Sequence, residues 1–178
     1  MRITASLLKE CKKNSRKAQS EVYRLCYSEA IKVAMRYTRN NDSALEVMNS
    51  SFLNAFLQLQ EFKGDETNFF GWLKRIIINK ALDYLRSNEK YNKNVDLEYA
   101  VAETSPDDFS MDYENILGLM QQLPARTSAV FNLFAIEGYT HKEIAEMLQI
   151  TEANSKYHLH AARKSLQEWV FKLEKYER

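Results

Sequence analysis

Glycine and proline are scarce in this chain, at four Gly and two Pro among 178 residues. β-Sandwiches and barrels turn often and draw on both residues to do so. Their scarcity argues against such folds and favours long helices with few breaks. Cysteine is almost missing as well. Cys11 and Cys26 show no metal-ligand spacing, which fits a reducing compartment and two small semi-buried hydrophobes. No apolar run approaches the ~18–20 residues of a membrane span. The opening residues turn charged too soon for a secretory signal. The expectation is a cytoplasmic protein with no membrane insertion.

Enzyme signatures are missing too. The sequence holds no P-loop, GxGxxG, HExxH or GxSxG. Its histidines are His141, His158 and His160. The last two are two residues apart on an expected helix, so they point to different faces. No cofactor, metal site or catalytic group is predicted, and the chain reads as a non-enzyme.

The net charge of +1 conceals three blocks. Residues 1–95 carry 17 basic and 10 acidic side chains, and residues 123–178 carry 8 and 7. Between them, residues 96–122 hold seven acids and no Lys or Arg. An acid-only stretch containing Thr104-Ser105-Pro106-Asp107-Asp108 reads as a linker. The sequence therefore predicts an all-α chain of two small helical domains, residues 1–92 and 115–178, joined by an acidic linker over 93–114.

In the first domain, apolar or small residues fall at Ala44, Val47, Met48, Ser51, Phe52, Ala55, Phe56 and Leu59. Steps alternating between three and one mark one helical face. Asn41 or Asp42 can cap its start. A preceding helix over about 18–39 turns Val22, Leu25, Cys26, Ala30, Val33 and Tyr37 inward. Gly64 marks a break. A second long helix, about 67–88, has Phe70, Leu73, Ile77, Ala81 and Tyr84 on its core face. Its other face carries Trp72, Arg75, Asn79, Asp83 and Arg86, spaced three, four, four and three. This stripe reads as a solvated face or as a nucleic-acid surface. In the second case guanidiniums meet phosphates, an amide meets a base edge and an aromatic stacks. Phe62, Lys63 and Phe69 would extend it.

The second domain opens with Leu123-Pro124-Ala125-Arg126, and Gly138 ends its first long helix at a C′ position. Thr140 and Glu143 then form a capping box. Ile144, Met147 and Leu148 face inward, Ala145 sits where two helices cross, and Gln149-Ile150 makes a tight turn. Thr151 caps a longer helix, about 152–172. This is a helix-turn-helix pattern. The early turns of its second helix bear Asn154, Ser155, Lys156, Tyr157, His158 and His160, all able to hydrogen-bond. Such turns enter the major groove in DNA-binding examples. They are also compatible with a polar surface helix.

The segment Phe69-Phe70-Gly71-Trp72-Leu73-Lys74-Arg75-Ile76-Ile77-Ile78-Asn79-Lys80-Ala81-Leu82-Asp83-Tyr84-Leu85-Arg86 resembles region two of bacterial sigma factors. The segment from Leu123-Pro124 through Gly138-Tyr139-Thr140 to Ala162-Arg163 resembles region four. Two such domains alone, joined by an acidic linker, are similar to the extracytoplasmic-function (ECF) class. The resemblance implies a protein that binds core RNA polymerase and directs it to promoter DNA. The helix over 44–59 would dock on the clamp helices of the largest polymerase subunit, through Glu46, Asn49, Ser50, Phe52, Leu53 and Phe56. That helix in the family usually carries an acidic cluster followed by Gln and an acid; here Leu45, Asn49 and Ser50 replace some of those, leaving Glu46 as the main acid.

The loop and helix over 62–86 would capture the melted minus-ten element with a flipped base, using Phe62, Lys63, Phe69, Trp72, Arg75, Asn79 and Arg86. Region four would read the minus-thirty-five element in the major groove through Arg126, Thr151, Asn154, Lys156, Tyr157, His158 and Arg163. It would also meet the flap of the second-largest subunit. The family leaves room for an anti-sigma partner. Two other readings stand beside this one: a stand-alone helix-turn-helix regulator, and an all-helical adaptor that binds only proteins.

Overall fold

A computed structural model describes residues 3–93 and 113–176. Among these residues all regular structure is helical. The chain forms two compact units that divide between Tyr84 and Leu85. Most of the linker expected over 93–114 lies outside the described residues.

The first unit holds helix α1 (Ala5–Lys12), α2 (Arg16–Met35), α3 (Asn41–Gln58) and the greater part of α4 (Phe69–Lys93). Composition and periodicity predict no element before residue 18, yet α1 is well formed. Thr4 caps it by accepting the Leu7 N–H at 3.2 Å. Its C-terminus closes through Asn14, which takes the left-handed conformation at φ 61°. Asn tolerates that region better than most residues. The Asn14 N–H then donates to the Cys11 carbonyl and the Ser15 N–H to that of Glu10, satisfying two orphan acceptors. Ser15 in turn caps α2.

Helix α2 runs from Arg16 to Met35, so it begins earlier and ends sooner than the pattern suggests. Tyr37 is buried beyond its end, while Leu25 is only half-buried. The stripe on α3 packs inward as its spacing predicts, with Phe56 half-buried. Its cap is Asn40, one residue before the candidates, whose Oδ1 accepts the Ser43 N–H at 2.8 Å. A 3-10 turn, Leu59–Glu61, follows. On α4 the buried register is Phe69, Leu73, Ile77, Ile78, Ala81 and Leu82. The hydroxyls of Ser43 and Tyr84 lie 2.6 Å apart and tie the start of α3 to α4. Both thiols are buried, which pushes Cys11 and Cys26 up to about 11 and keeps them protonated near neutrality.

The second unit contains α5 (Tyr113–Gln122), α6 (Ala125–Phe131), α7 (His141–Leu148) and α8 (Glu152–Tyr176). Pro124 stands at the N-cap position of α6 without a side-chain capping bond, and its missing N–H takes nothing from the helix. The helix widens into a π turn over Asn132–Ile136 before it ends. Gly138 then turns the chain at φ +78°, a value glycine adopts without a Cβ clash. The closing bond from the Tyr139 N–H reaches Leu133, one residue further back than in an ordinary helix end. The wider turn accounts for that extra residue. Leu123, Val130, Leu133, Ile144, Leu159 and Ala162 form the core. Helix α8 packs on α6 and α7.

Candidate nucleic-acid and polymerase interfaces

The loop over 62–68 is built from an aromatic cluster and one carboxylate. The Phe62 ring meets Trp72 at 4.9 Å and Phe69 edge-on at 5.8 Å, and Phe69 meets Trp72 at 5.7 Å. Gly64 passes so close that a Cβ there would fall 2.6 Å from Phe62 Cζ. Asp65 Oδ1 accepts the Thr67 hydroxyl, the Thr67 and Asn68 N–H groups, and the Asn68 amide. The hydrogen bond from the Thr67 hydroxyl, followed by that from the Asn68 backbone, holds the Asp65 carboxyl below its usual range. The carboxylate thus closes the turn that launches α4.

This geometry corrects part of the expected surface. Phe69 has no exposed area and Phe62 is 7% exposed. Both use their ring faces inside the cluster, so neither presents a free face to a base. The helical period is satisfied by Phe69 rather than its neighbour Phe70, which is half-buried. Lys63, Arg75 and Asn79 are exposed, and Trp72 is half-buried at the head of the Arg75–Asn79 face. Arg86 is half-buried further along α4.

On α3 the expected docking residues separate into two groups. Glu46, Asn49 and Leu53 are exposed, while Ser50 and Phe56 are half-buried. Phe52 is 2% exposed and belongs to the interior, which corrects its expected surface role. Its ring links Tyr23 at 4.7 Å with Phe56 at 6.0 Å. The Tyr23 hydroxyl donates to Asn49 Oδ1 at 2.9 Å and fixes that side chain on the surface. Burial, then the neighbouring Tyr27, raises the Tyr23 phenol above its ordinary value. Leu53 and Leu57, one turn apart, are 60% and 73% exposed. Leu57 is missing from the residues expected to dock, although helical period places it beside Leu53 off the buried stripe, making an exposed leucine pair.

The helix-turn-helix is closed by local bonds. Thr140 and Glu143 complete the capping box on α7. Gln149 adopts the left-handed conformation at φ 55°. The Ile150 N–H then returns to the Ala145 carbonyl at 3.0 Å. The Thr151 hydroxyl accepts the Asn154 N–H at 3.1 Å, so that acceptor serves the start of α8. Asn154, Lys156 and Tyr157 are exposed on its first turns, Tyr157 by 69%.

Two neighbours face inward instead. Ser155 is wholly buried, its hydroxyl 2.9 Å from His141 Nδ1. His158 is half-buried with Nδ1 3.0 Å from the Thr127 hydroxyl. One ring nitrogen of an expected DNA contact is therefore committed to α6. Arg163 is exposed with its guanidinium carbon 5.7 Å from the Phe134 ring centroid, and Phe134 also stacks on His141 at 4.6 Å. Arg126 is half-buried at the start of α6.

Comparison with known proteins matches this arrangement in both units. The family model for sigma-70 region 2 covers residues 22–91, and that for sigma-70 region 4 covers residues 113–166. The chain therefore belongs to the sigma-70 family. Its similarities place it in the ECF class within that family. It is 24% identical over 153 residues to the ECF RNA polymerase sigma factor SigM of Bacillus subtilis, covering 82% of this chain and 91% of that protein. It is 26% identical over 146 residues to the ECF RNA polymerase sigma-E factor of Haemophilus influenzae, covering 74% and 76%.

Two solved structures share the fold. Sigma factor RpoE of Bartonella quintana, in complex with the anti-sigma factor NepR, aligns with a TM-score of 0.55 at 19% identity, covering 85% of this chain and 95% of that one. CnrH in complex with the cytosolic domain of CnrY aligns at 0.51 and 18%, covering 94% and 97%. The protein is a sigma factor: it binds core RNA polymerase and promoter DNA and directs promoter-specific initiation. Sigma factors are initiation factors rather than enzymes. No helix among the described residues is long and apolar enough to cross a membrane.

Proposed function

We propose that this sigma factor divides its work between two domains, residues 1–92 and 115–178, joined by an acidic linker over 93–114. The first domain captures the melted minus-ten element on the face of α4 headed by Trp72. Lys63, Arg75 and Arg86 attract the backbone, Asn79 reads a base edge, and the exposed part of Trp72 contacts a base. Phe62 and Phe69 hold that tryptophan in place. The exposed part of α3 docks on the polymerase clamp through Glu46, Asn49, Leu53 and Leu57.

The second domain reads the minus-thirty-five element with Asn154, Lys156 and Tyr157 in the major groove, while Arg126 and Arg163 reach phosphates. His158 contributes through its remaining nitrogen. One observation supports this reading above others. In the first turns of α8, Asn154, Lys156 and Tyr157 remain exposed while Ser155 and His158 hold the helix to the rest of its unit. An anchored helix with a free polar face suits the major groove.

The setting is cytoplasmic, where polymerase and promoter meet. The anti-sigma factor NepR bound to the similarly folded RpoE supports a protein inhibitor here as well, covering the Leu53–Leu57 surface. Run-off transcription with purified core polymerase and genomic fragments tests the assignment. The wild-type protein yields promoter-dependent transcripts. Asn154→Ala with Lys156→Ala loses those that depend on the upstream element. A transcript pattern unchanged by that double substitution overturns the region-four assignment.

A further inference from the structure

Helix α1 lies outside the residues matched by the region 2 family model, which begin at residue 22. It is nonetheless attached to the minus-ten loop by two reciprocal bonds. The Lys12 ammonium donates to the Phe62 carbonyl at 2.9 Å, although the two residues are 50 apart in sequence. Gln60, in the turn that leads into the loop, donates its side-chain amide to the Lys12 carbonyl. That carbonyl ends α1 and has no partner within the helix. The Lys12 ammonium also lies 6.0 Å from the centre of the Phe62 ring, within range of a cation–π attraction. Leu8 and Cys11, both buried, hold α1 against its unit.

The Phe62 ring is the surface against which Trp72 packs. Lys12 therefore fixes the first residue of the loop in backbone and ring at once. We infer that Lys12 is a positioning residue for capture of the melted strand, and that α1 is a brace for the minus-ten loop. This rests on the assignment of that loop and of the Trp72–Asn79 face to the minus-ten element. The physical gain is entropic. Flipping a base already costs unstacking energy, and ordering a loose loop in the same step would add to it. A loop held before DNA arrives avoids the second term.

The test uses holoenzyme reconstituted from the full chain and core polymerase. The probe is a single-stranded minus-ten oligonucleotide from a promoter identified by sequencing transcripts induced on overexpression. Lys12→Met is expected to weaken capture about ten-fold, the size of one lost charge-assisted hydrogen bond. Lys12→Arg, which keeps a cationic donor, restores it to within about two-fold. The slope of log affinity against log salt stays unchanged, because Lys12 touches protein and not phosphate. Gln60→Ala breaks the reciprocal bond and weakens capture in the same direction, which keeps the test available if Lys12→Met does not fold.

A salt slope reduced by about 0.7 in Lys12→Met, the single-strand value for one phosphate contact, would make Lys12 a direct phosphate contact and overturn the brace. Unchanged capture in Lys12→Met, beside a loss in Asn79→Ala, would overturn the brace and leave the minus-ten assignment standing. Unchanged capture in Asn79→Ala and Trp72→Ala together would remove that assignment and the brace with it.

Discussion

His158 Nδ1 lies 3.0 Å from the hydroxyl of Thr127, joining the early turns of α8 to α6 across 31 residues of sequence. Thr127 is buried, so its hydroxyl depends on that partner. The exposed face of α8 is thus oriented by a side chain that also borders it. Thr127→Val keeps the shape and removes the hydroxyl. The expected loss is about 1 kcal/mol of stability, one net hydrogen bond, with weaker binding to duplex minus-thirty-five DNA. Urea denaturation and fluorescence anisotropy measure the two effects.

Phe69 and Asn79 separate packing from recognition on one helix. Phe69→Ala leaves a cavity under the aromatic cluster and is expected to cost about 3–5 kcal/mol. Asn79→Ala touches an exposed position and should alter stability by less than about 0.5 kcal/mol. Its effect belongs to function: permanganate reactivity of the opened promoter falls while duplex binding holds. Wild-type footprints in Asn79→Ala would remove the amide from the capturing surface.

Lys156 is exposed on α8 and free to meet a phosphate or a guanine edge. If it meets phosphate, Lys156→Ala weakens binding alike for matched and mismatched minus-thirty-five duplexes, and the salt slope falls by about one. If it reads guanine, the loss concentrates at a single base position. A salt titration over a panel of single-base variants distinguishes the two.

Asp65 links the loop to pH. Its carboxyl is held below the usual range by hydrogen bonds made only when the loop is folded. A lowered native pKa means the stabilisation is fully present above the unfolded value, about 3.9. It is lost as pH falls through the native value. Loop order should therefore be constant across neutral pH and fail only in acid. Amide exchange of Thr67 and Asn68 in wild type and Asp65→Ala checks this; Asp65→Ala should show fast exchange already at neutral pH.

Gly64 is required by its neighbour and not by its own backbone angles. A methyl group there would meet a Phe62 ring already wedged against Trp72 and Phe69. Gly64→Ala should displace that ring and weaken minus-ten capture, with a change in tryptophan fluorescence reporting the shift. Unchanged emission and capture would show that the cluster can absorb a methyl group.

Much of this molecule follows from nearest-neighbour chemistry, and that much was legible in the chain. The three-and-one spacing from Ala44 to Leu59 defines the buried face of α3, because helical period alone decides which residues share a side. The capping box at Thr140, the left-handed turns at Gly138 and Gln149, and the cap at Thr151 depend on groups only a few residues apart. Two helical units and a helix-turn-helix follow from them.

Tertiary structure decided the rest. Periodicity could not choose between Phe69 and Phe70, since adjacent aromatics at the first turn of a helix satisfy the pattern almost equally. Only packing against Phe62 and the body of the unit selects Phe69 for the interior. Likewise Ser155 is placed inside by His141, which comes from another helix. The bond from Lys12 to Phe62 has no local signature at all. Contacts between residues tens of positions apart exist only once the helices have packed, because folding, not spacing, brings the two groups within hydrogen-bond range.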